Sequence, residues 1–221
     1  MTIAQTSIRA VLFDFDGTLA DSYPAITASV NYVRASHGLP ALTEAQVRPL
    51  VGRGPERLME TAVGPNSVAA DVAAYRAHHP SVMREGTRLM PGAVEALRAL
   101  HRIGIKAGIC SNKPVAFTRE LIVFLRVAEF FSVVLGPEDV ARPKPAPDML
   151  LEGLSRLSLS AAQTLYIGDM VVDIQTARAA GVPVWVVPTG SDPEVKLAAA
   201  RPDRVIRGLG DLPNAIENGL Q

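Results

Sequence analysis

From Lys106 onward, short apolar runs alternate with segments of helical spacing, a rhythm that best fits a parallel sheet with helices on both faces. The runs are Lys106–Cys110, Phe131–Leu135, Thr164–Ile167 and Val184–Val187, with Arg204–Ile206 as an expected edge strand. Helices are predicted over about Pro114–Arg126, Pro147–Leu157 and Val171–Ala180, the last closed by Gly181. A helix carrying Val94, Leu97 and Leu100 ends near Gly104, ahead of the first of these runs. One further run, Ala10–Phe13, stands near the start and stops at Asp14, as a buried strand entering a loop does.

The stretch from Asp21 to about Arg88 shows no convincing strand. Tyr23, Ile26, Val30 and Val33 keep helical spacing until Gly38 and Pro40 supply a stop. Thr43 with Gln46 reads as a capping box, Val51–Pro55 as a turn, and Glu56 to about Arg84 as further helix. His78-His79 could suggest a metal site, but neighbours on a helix point in different directions, and a solvated face is the expectation.

Hydrophobic residues make up 48% of the 221, enough for a substantial core. Lys+Arg and Asp+Glu balance at 22 each with no basic stretch, which disfavours nucleic acid as a partner. Met1–Ala10 lacks a leader pattern and no apolar run is long enough to span a bilayer, so no membrane partner is expected. The single cysteine, Cys110, reads as a buried structural thiol, and the expected compartment is the cytoplasm.

In sheets of this kind ligands bind beyond the carboxyl ends of the strands, so the loops there should hold the chemistry. Four of them carry it. Asp14-Phe15-Asp16-Gly17-Thr18-Leu19 places two carboxylates two residues apart after an apolar strand, a costly arrangement unless a cation binds; Mg²⁺ suits it. Asp-Gly is also an ordinary turn pair. Cys110-Ser111-Asn112-Lys113 could begin a helix with Ser111 as N-cap, or beside an anion could form an oxyanion-binding corner. In Arg142-Pro143-Lys144-Pro145-Ala146-Pro147 three prolines restrict the backbone around one lysine. Gly168-Asp169-Met170-Val171-Val172-Asp173 puts Asp169 at a strand tip and Asp173 in the first turn of the next helix, where acids are favoured anyway.

In this order the four segments resemble the motifs of the haloacid dehalogenase-like hydrolase superfamily, in particular its phosphoglycolate phosphatase-like branch, over essentially the whole chain. The resemblance implies a Rossmann-like doubly wound α/β core over residues 1–19 and 89–221, with an all-helical cap inserted at 20–88. It implies an Mg²⁺-dependent phosphatase in which Asp14 attacks phosphorus and forms an aspartyl-phosphate, while Asp16 protonates the leaving alcohol and then activates water. The metal would be held by Asp14, the Asp16 backbone carbonyl and Asp169, with Asp173 orienting a metal-bound water or Lys144. Ser111 and Lys144 would hold the phosphoryl group, with Asn112 beside them.

The cap turn Gly52-Arg53-Gly54 departs from the Gly-Asn-Gly-like turn of that branch; Arg53 could meet a carboxylate or second phosphate on the substrate, or face solvent. The Gly52-x-Gly54 pair follows no strand and lacks a third glycine, so it is not a dinucleotide fingerprint. The expected partner is a small phosphorylated metabolite: phosphoglycolate, a sugar phosphate, a nucleotide or pyrophosphate. Monomer and dimer are equally compatible with the sequence. The rival readings are a β-phosphoglucomutase-like phosphomutase and a catalytically silent binding module on the same scaffold.

Overall fold

The computed structural model describes residues 8–217; the outer ends of the expected core, residues 1–7 and 218–221, lie outside them, and so does most of the Met1–Ala10 segment. Strand β1 (Ala10–Phe13) is followed by a two-residue strand β2 (Ala20–Asp21) and helices α1 (Tyr23–Ser36), α2 (Glu44–Val47), α3 (Pro55–Ala62) and α4 (Val68–Val82). Strand β3 (Arg88–Leu89) then leads through α5 (Ala93–Arg102), β4 (Lys106–Cys110), α6 (Val115–Phe124), β5 (Phe131–Leu135), α7 (Asp148–Leu157) and β6 (Thr164–Gly168). The chain closes with α8 (Val171–Ala180), β7 (Val184–Val186), α9 (Glu194–Ala199), β8 (Arg204–Val205) and α10 (Leu212–Glu217).

Six strands form one parallel sheet in the order β5-β4-β1-β6-β7-β8. The chain winds outward from β1 to one edge and then returns past β1 to the other, which is the doubly wound pattern. Because side chains alternate along a strand, β1 feeds both faces. Val11 and Phe13 pack with Leu97 and Leu100 of α5 and Leu121 of α6, while Ala10 and Leu12 pack with Leu150 and Leu154 of α7 and Ile174 of α8. Each such large side chain taken fully from water contributes about 1.5–3 kcal/mol.

The helices α1–α4 surround a separate core in which Ile26, Val30, Val33, Met59 and Tyr75 meet. The capping box at α2 is present: Thr43 Oγ1 accepts from the Gln46 amide at 3.3 Å and Gln46 Oε1 accepts from the Thr43 amide at 2.9 Å.

Four local expectations change. The helix expected from Glu56 to Arg84 is two helices, broken by Val63–Ser67, where Gly64 turns with φ +137°. The span's ends are strands: β2 pairs antiparallel with β3 where the chain enters and leaves the helical insert, and two-residue strands show no periodicity. Ser111 does not cap α6, which starts after Pro114, because Ser111 and Asn112 stay in an irregular turn. His79 is no solvated residue: it follows Val72 and Tyr75 on the buried stripe of α4 and stacks on Tyr75 at 5.1 Å. Cys110 is a buried free thiol, and burial pushes it up to about 12. Among the described residues no helix is long and apolar enough to cross a membrane.

Candidate active site

Register places the site. Phe13 lies level with Ile109 on one side and Ile167 on the other, so the chain leaves β1, β4 and β6 at one height. Asp14, Ser111 and Asp169 are therefore brought to one end of the sheet, as the sequence implied. The Asp14 amide still donates to the Ile167 carbonyl at 2.8 Å, which fixes its carboxylate at the tip of β1. The backbone then turns sharply at Gly17, φ +86°; a Cβ there would stand 2.5 Å from Tyr23 Oη and 2.6 Å from Asp169 Oδ2. Only glycine accepts both the conformation and the crowding.

Asp14 and Asp16 face different partners. Lys144 Nζ stands 3.0 Å from Asp14 Oδ1 in a buried ion pair. Lys144 also donates to Asp173 Oδ1 at 2.7 Å and to Tyr166 Oη at 3.0 Å, and Tyr166 donates to the Cys110 carbonyl at 2.8 Å. Burial alone would push Lys144 down, but Asp14 and Asp173 outweigh it and hold the ammonium above the usual lysine range. Asp16 instead accepts from Lys113 at 3.0 Å and from the Ser22 hydroxyl.

Asp169 is fully buried, with Oδ1 accepting from Thr18 at 2.8 Å and Oδ2 from the Ser191 amide at 2.9 Å. Asp173, at the start of α8, accepts through Oδ2 from the amides of Asp169 (3.2 Å) and Met170 (3.0 Å). Burial pushes Asp169 well above the usual carboxylate range, and the charges of Asp173 and Asp14 reinforce it. Burial also pushes Asp173 up to about 6 in spite of Lys144.

Asp14, Asp169 and Asp173 each offer an oxygen within 4.8 Å of the others, all buried, against the single ammonium of Lys144. Three carboxylates so confined are costly without a further cation, and an all-oxygen donor set fits a hard divalent ion. The Asp16 carboxylate stands outside this cluster.

Asp14, Asp16, Ser111, Asn112 and Lys113 line one cleft of about 460 Å³, open mouth included. Asn112 clamps the lysine segment: its Nδ2 donates to the Lys144 carbonyl (3.0 Å) and the Gly52 carbonyl (3.1 Å), and its Oδ1 accepts from the Lys144 amide (3.0 Å). Arg53 is the predicted residue not brought in; its side chain is exposed, and the lining passes through Gly52 and Gly54 instead. Lys113, Thr18, Tyr166 and Ser191 join the site without having been singled out. Lys113 was the one with a visible signal, since it directly follows Ser111-Asn112.

The haloacid dehalogenase-like hydrolase family model matches residues 11–187. The phosphoglycolate phosphatase of Salmonella paratyphi A is 35% identical over 234 residues, covering 95% of this chain and 93% of that protein. The enzyme of the same name from Yersinia pseudotuberculosis is 36% identical over 217 residues, with 95% and 94% covered. A crystal structure described as a haloacid dehalogenase-like hydrolase from Bacteroides fragilis superposes with a TM-score of 0.88 at 31% identity, covering 93% of this chain and all of that one. With its doubly wound sheet, helical insert and buried acidic cluster at the strand ends, the chain belongs to the haloacid dehalogenase-like hydrolase family, as one of its phosphatases.

Proposed function

We propose that the protein hydrolyses a small phosphomonoester in two steps, through an aspartyl-phosphate on Asp14, with Mg²⁺ as cofactor. The supporting observation is that Asp14 and Asp16 line the same cleft while their carboxylates keep separate cationic partners, Lys144 and Lys113. A nucleophile and an acid–base group must act separately, and Asp16 becomes free to exchange a proton when Lys113 turns to the substrate's phosphate.

In the first step an Asp14 oxygen attacks phosphorus, the bond to the leaving oxygen breaks, and Asp16 gives that oxygen a proton. In the second, Asp16 takes a proton from water as the water attacks the phosphorus, and Asp14 leaves as a carboxylate with inorganic phosphate as product. Lys144 stabilises the Asp14 carboxylate in the resting enzyme, and the Ser111 hydroxyl and Lys113 ammonium stand in the cleft to receive phosphate oxygens. Lys113 can exchange the Asp16 carboxylate for the substrate's phosphate. Asp14, Asp169 and the Asp16 carbonyl would hold Mg²⁺, which supplies charge neutralisation for the transferring phosphoryl group. Asp173 would orient Lys144, since both of its oxygens are already engaged by Lys144, Tyr166 and two backbone amides.

Phosphate release from a panel of phosphomonoesters, with Mg²⁺ and with a chelator, tests this. We expect turnover only with the metal, and Asp14→Asn to lower kcat at least 10³-fold while the circular dichroism spectrum stays native. Turnover by Asp14→Asn at the wild-type rate would rule out the covalent route. The buried thiol of Cys110 supports a reducing compartment, the cytoplasm, as the working location.

A further inference from the structure

The cleft has two chemically unlike walls. Its floor carries Asp14, Asp16, Ser111 and Lys113 from the loops at the strand ends. Its opposite wall consists of Ile26, Val51, Leu58 and Tyr75 from the helical insert, with Phe117 of α6 beside them. Phosphate seated on the floor therefore points its leaving group at hydrocarbon.

Among the described residues no free cation stands on that wall. Lys113 is the one lysine or arginine among the described residues that lines the cleft, and it is 3.0 Å from Asp16. Arg53 is exposed outside the lining. Arg48, also on the insert, is held by Glu44 at 2.8 Å and stacks on Tyr23 at 3.8 Å. The start of α3 reaches the cleft through Gly54 and Pro55, where proline has no N–H and Glu56 adds an acid in that turn, which weakens this helix end as a seat for an anion.

One polar group remains on the apolar wall. Tyr75 is 4% exposed, lines the cleft, and its hydroxyl has no hydrogen-bond partner among the described residues. Burial pushes the phenol up, so it acts as a neutral donor or acceptor.

We propose that the leaving group this phosphatase selects is uncharged and mainly apolar, an aliphatic or aromatic alcohol carrying at most one neutral polar group for Tyr75, in preference to an alcohol bearing a carboxylate. The proposal rests on the phosphatase reading above, and it separates this chain from relatives whose name specifies a carboxylated substrate. A carboxylate against Ile26 and Leu58 would lose its hydration without gaining a partner, whereas a ring or alkyl chain there loses nothing.

The test measures kcat/KM of the full chain with Mg²⁺ for benzyl phosphate, 4-carboxybenzyl phosphate and 2-phosphoglycolate, the first two matched in leaving-group reactivity. We expect benzyl phosphate to exceed both carboxylated compounds at least 10-fold. Leu58→Lys should shift the ratio toward 4-carboxybenzyl phosphate by 10-fold or more, and Tyr75→Phe should leave the preference for benzyl phosphate in place. Equal or better use of the carboxylated substrates overturns the selectivity and leaves the phosphatase reading standing. An unaltered ratio in folded Leu58→Lys removes the wall from the explanation. Turnover of none of the three nor of any other phosphomonoester defeats the phosphatase reading and the selectivity with it.

Discussion

At the scale of single residues, His79 shows what burial does to a group that sequence reading leaves in solvent. It is fully buried between Tyr75 and Phe117, with Nδ1 at 3.0 Å from the Ser29 hydroxyl and Nε2 without a partner among the described residues. Burial pushes it down to about 2, and the nearby Lys113 charge adds to the effect. An unfolded histidine titrates near ~6.5, so between those values the unfolded chain binds the extra proton and the folded one refuses it. The stability that neutral His79 secures is complete above ~6.5 and falls with pH below it, by up to about 1.4 kcal/mol per unit. Denaturant titrations at pH 7.5, 6.0 and 5.0 should show this slope, and His79→Phe should flatten it; an equal slope in the variant would assign the acid sensitivity to other groups. Much of the site was legible for a simple reason. Asp14, Asp169, Ser111 and Lys144 each interrupt an apolar run or a proline frame. Tyr166 and Thr18 were not, because Tyr166 sits in β6 like any core residue and Thr18 gains its role only when the turn folds it onto Asp169.

At the scale of elements, strands of four residues or more and helices of ten or more were readable because burial on a fixed period leaves a trace along the chain. β4 and β5 match the expected limits residue for residue. The elements that escaped are those too short or too polar to repeat: β2, β3, α9 and α10. Chemistry of the turn can replace periodicity, as α2 shows. It has four residues, yet Thr43 and Gln46 announce it, since each satisfies a donor the other's backbone would otherwise strand. Thr43→Ala should therefore lower unfolding stability by about 1 kcal/mol in a denaturant titration. A loss below 0.3 kcal/mol would mean that packing of Val47 holds this helix without its cap. Arg53 was left open at this scale, because a residue at a turn can point either way and nothing in the order Gly52-Arg53-Gly54 decides which; its side chain is exposed.

For the whole molecule, the helical insert closes on the sheet through a few cross-contacts. Arg48 reaches the Thr189 carbonyl at 3.3 Å, Tyr23 meets the Ser191 hydroxyl at 2.9 Å, and Asn112 holds Gly52. Phe117 supplies the apolar part by packing against the insert's own core. Arg48→Ala removes both the bond to Thr189 and the stack on Tyr23. Amide hydrogen exchange should then quicken several-fold across α1 and α2 while the amides of β1, β4 and β6 keep their protection. Unchanged exchange in α1 would show that apolar packing alone keeps the insert seated.

The pairing of β2 with β3 has a wider meaning. The Met90 amide donates to the Leu19 carbonyl at 2.9 Å, so the two places where the chain departs from the sheet and rejoins it are direct neighbours. Nearly seventy residues hang from what is, for the sheet, a single tight turn. An appendage of another length can be joined between these neighbours without altering the gap the sheet has to bridge. A lineage built this way can change its choice of molecule by swapping the attachment while the reaction chemistry is inherited untouched.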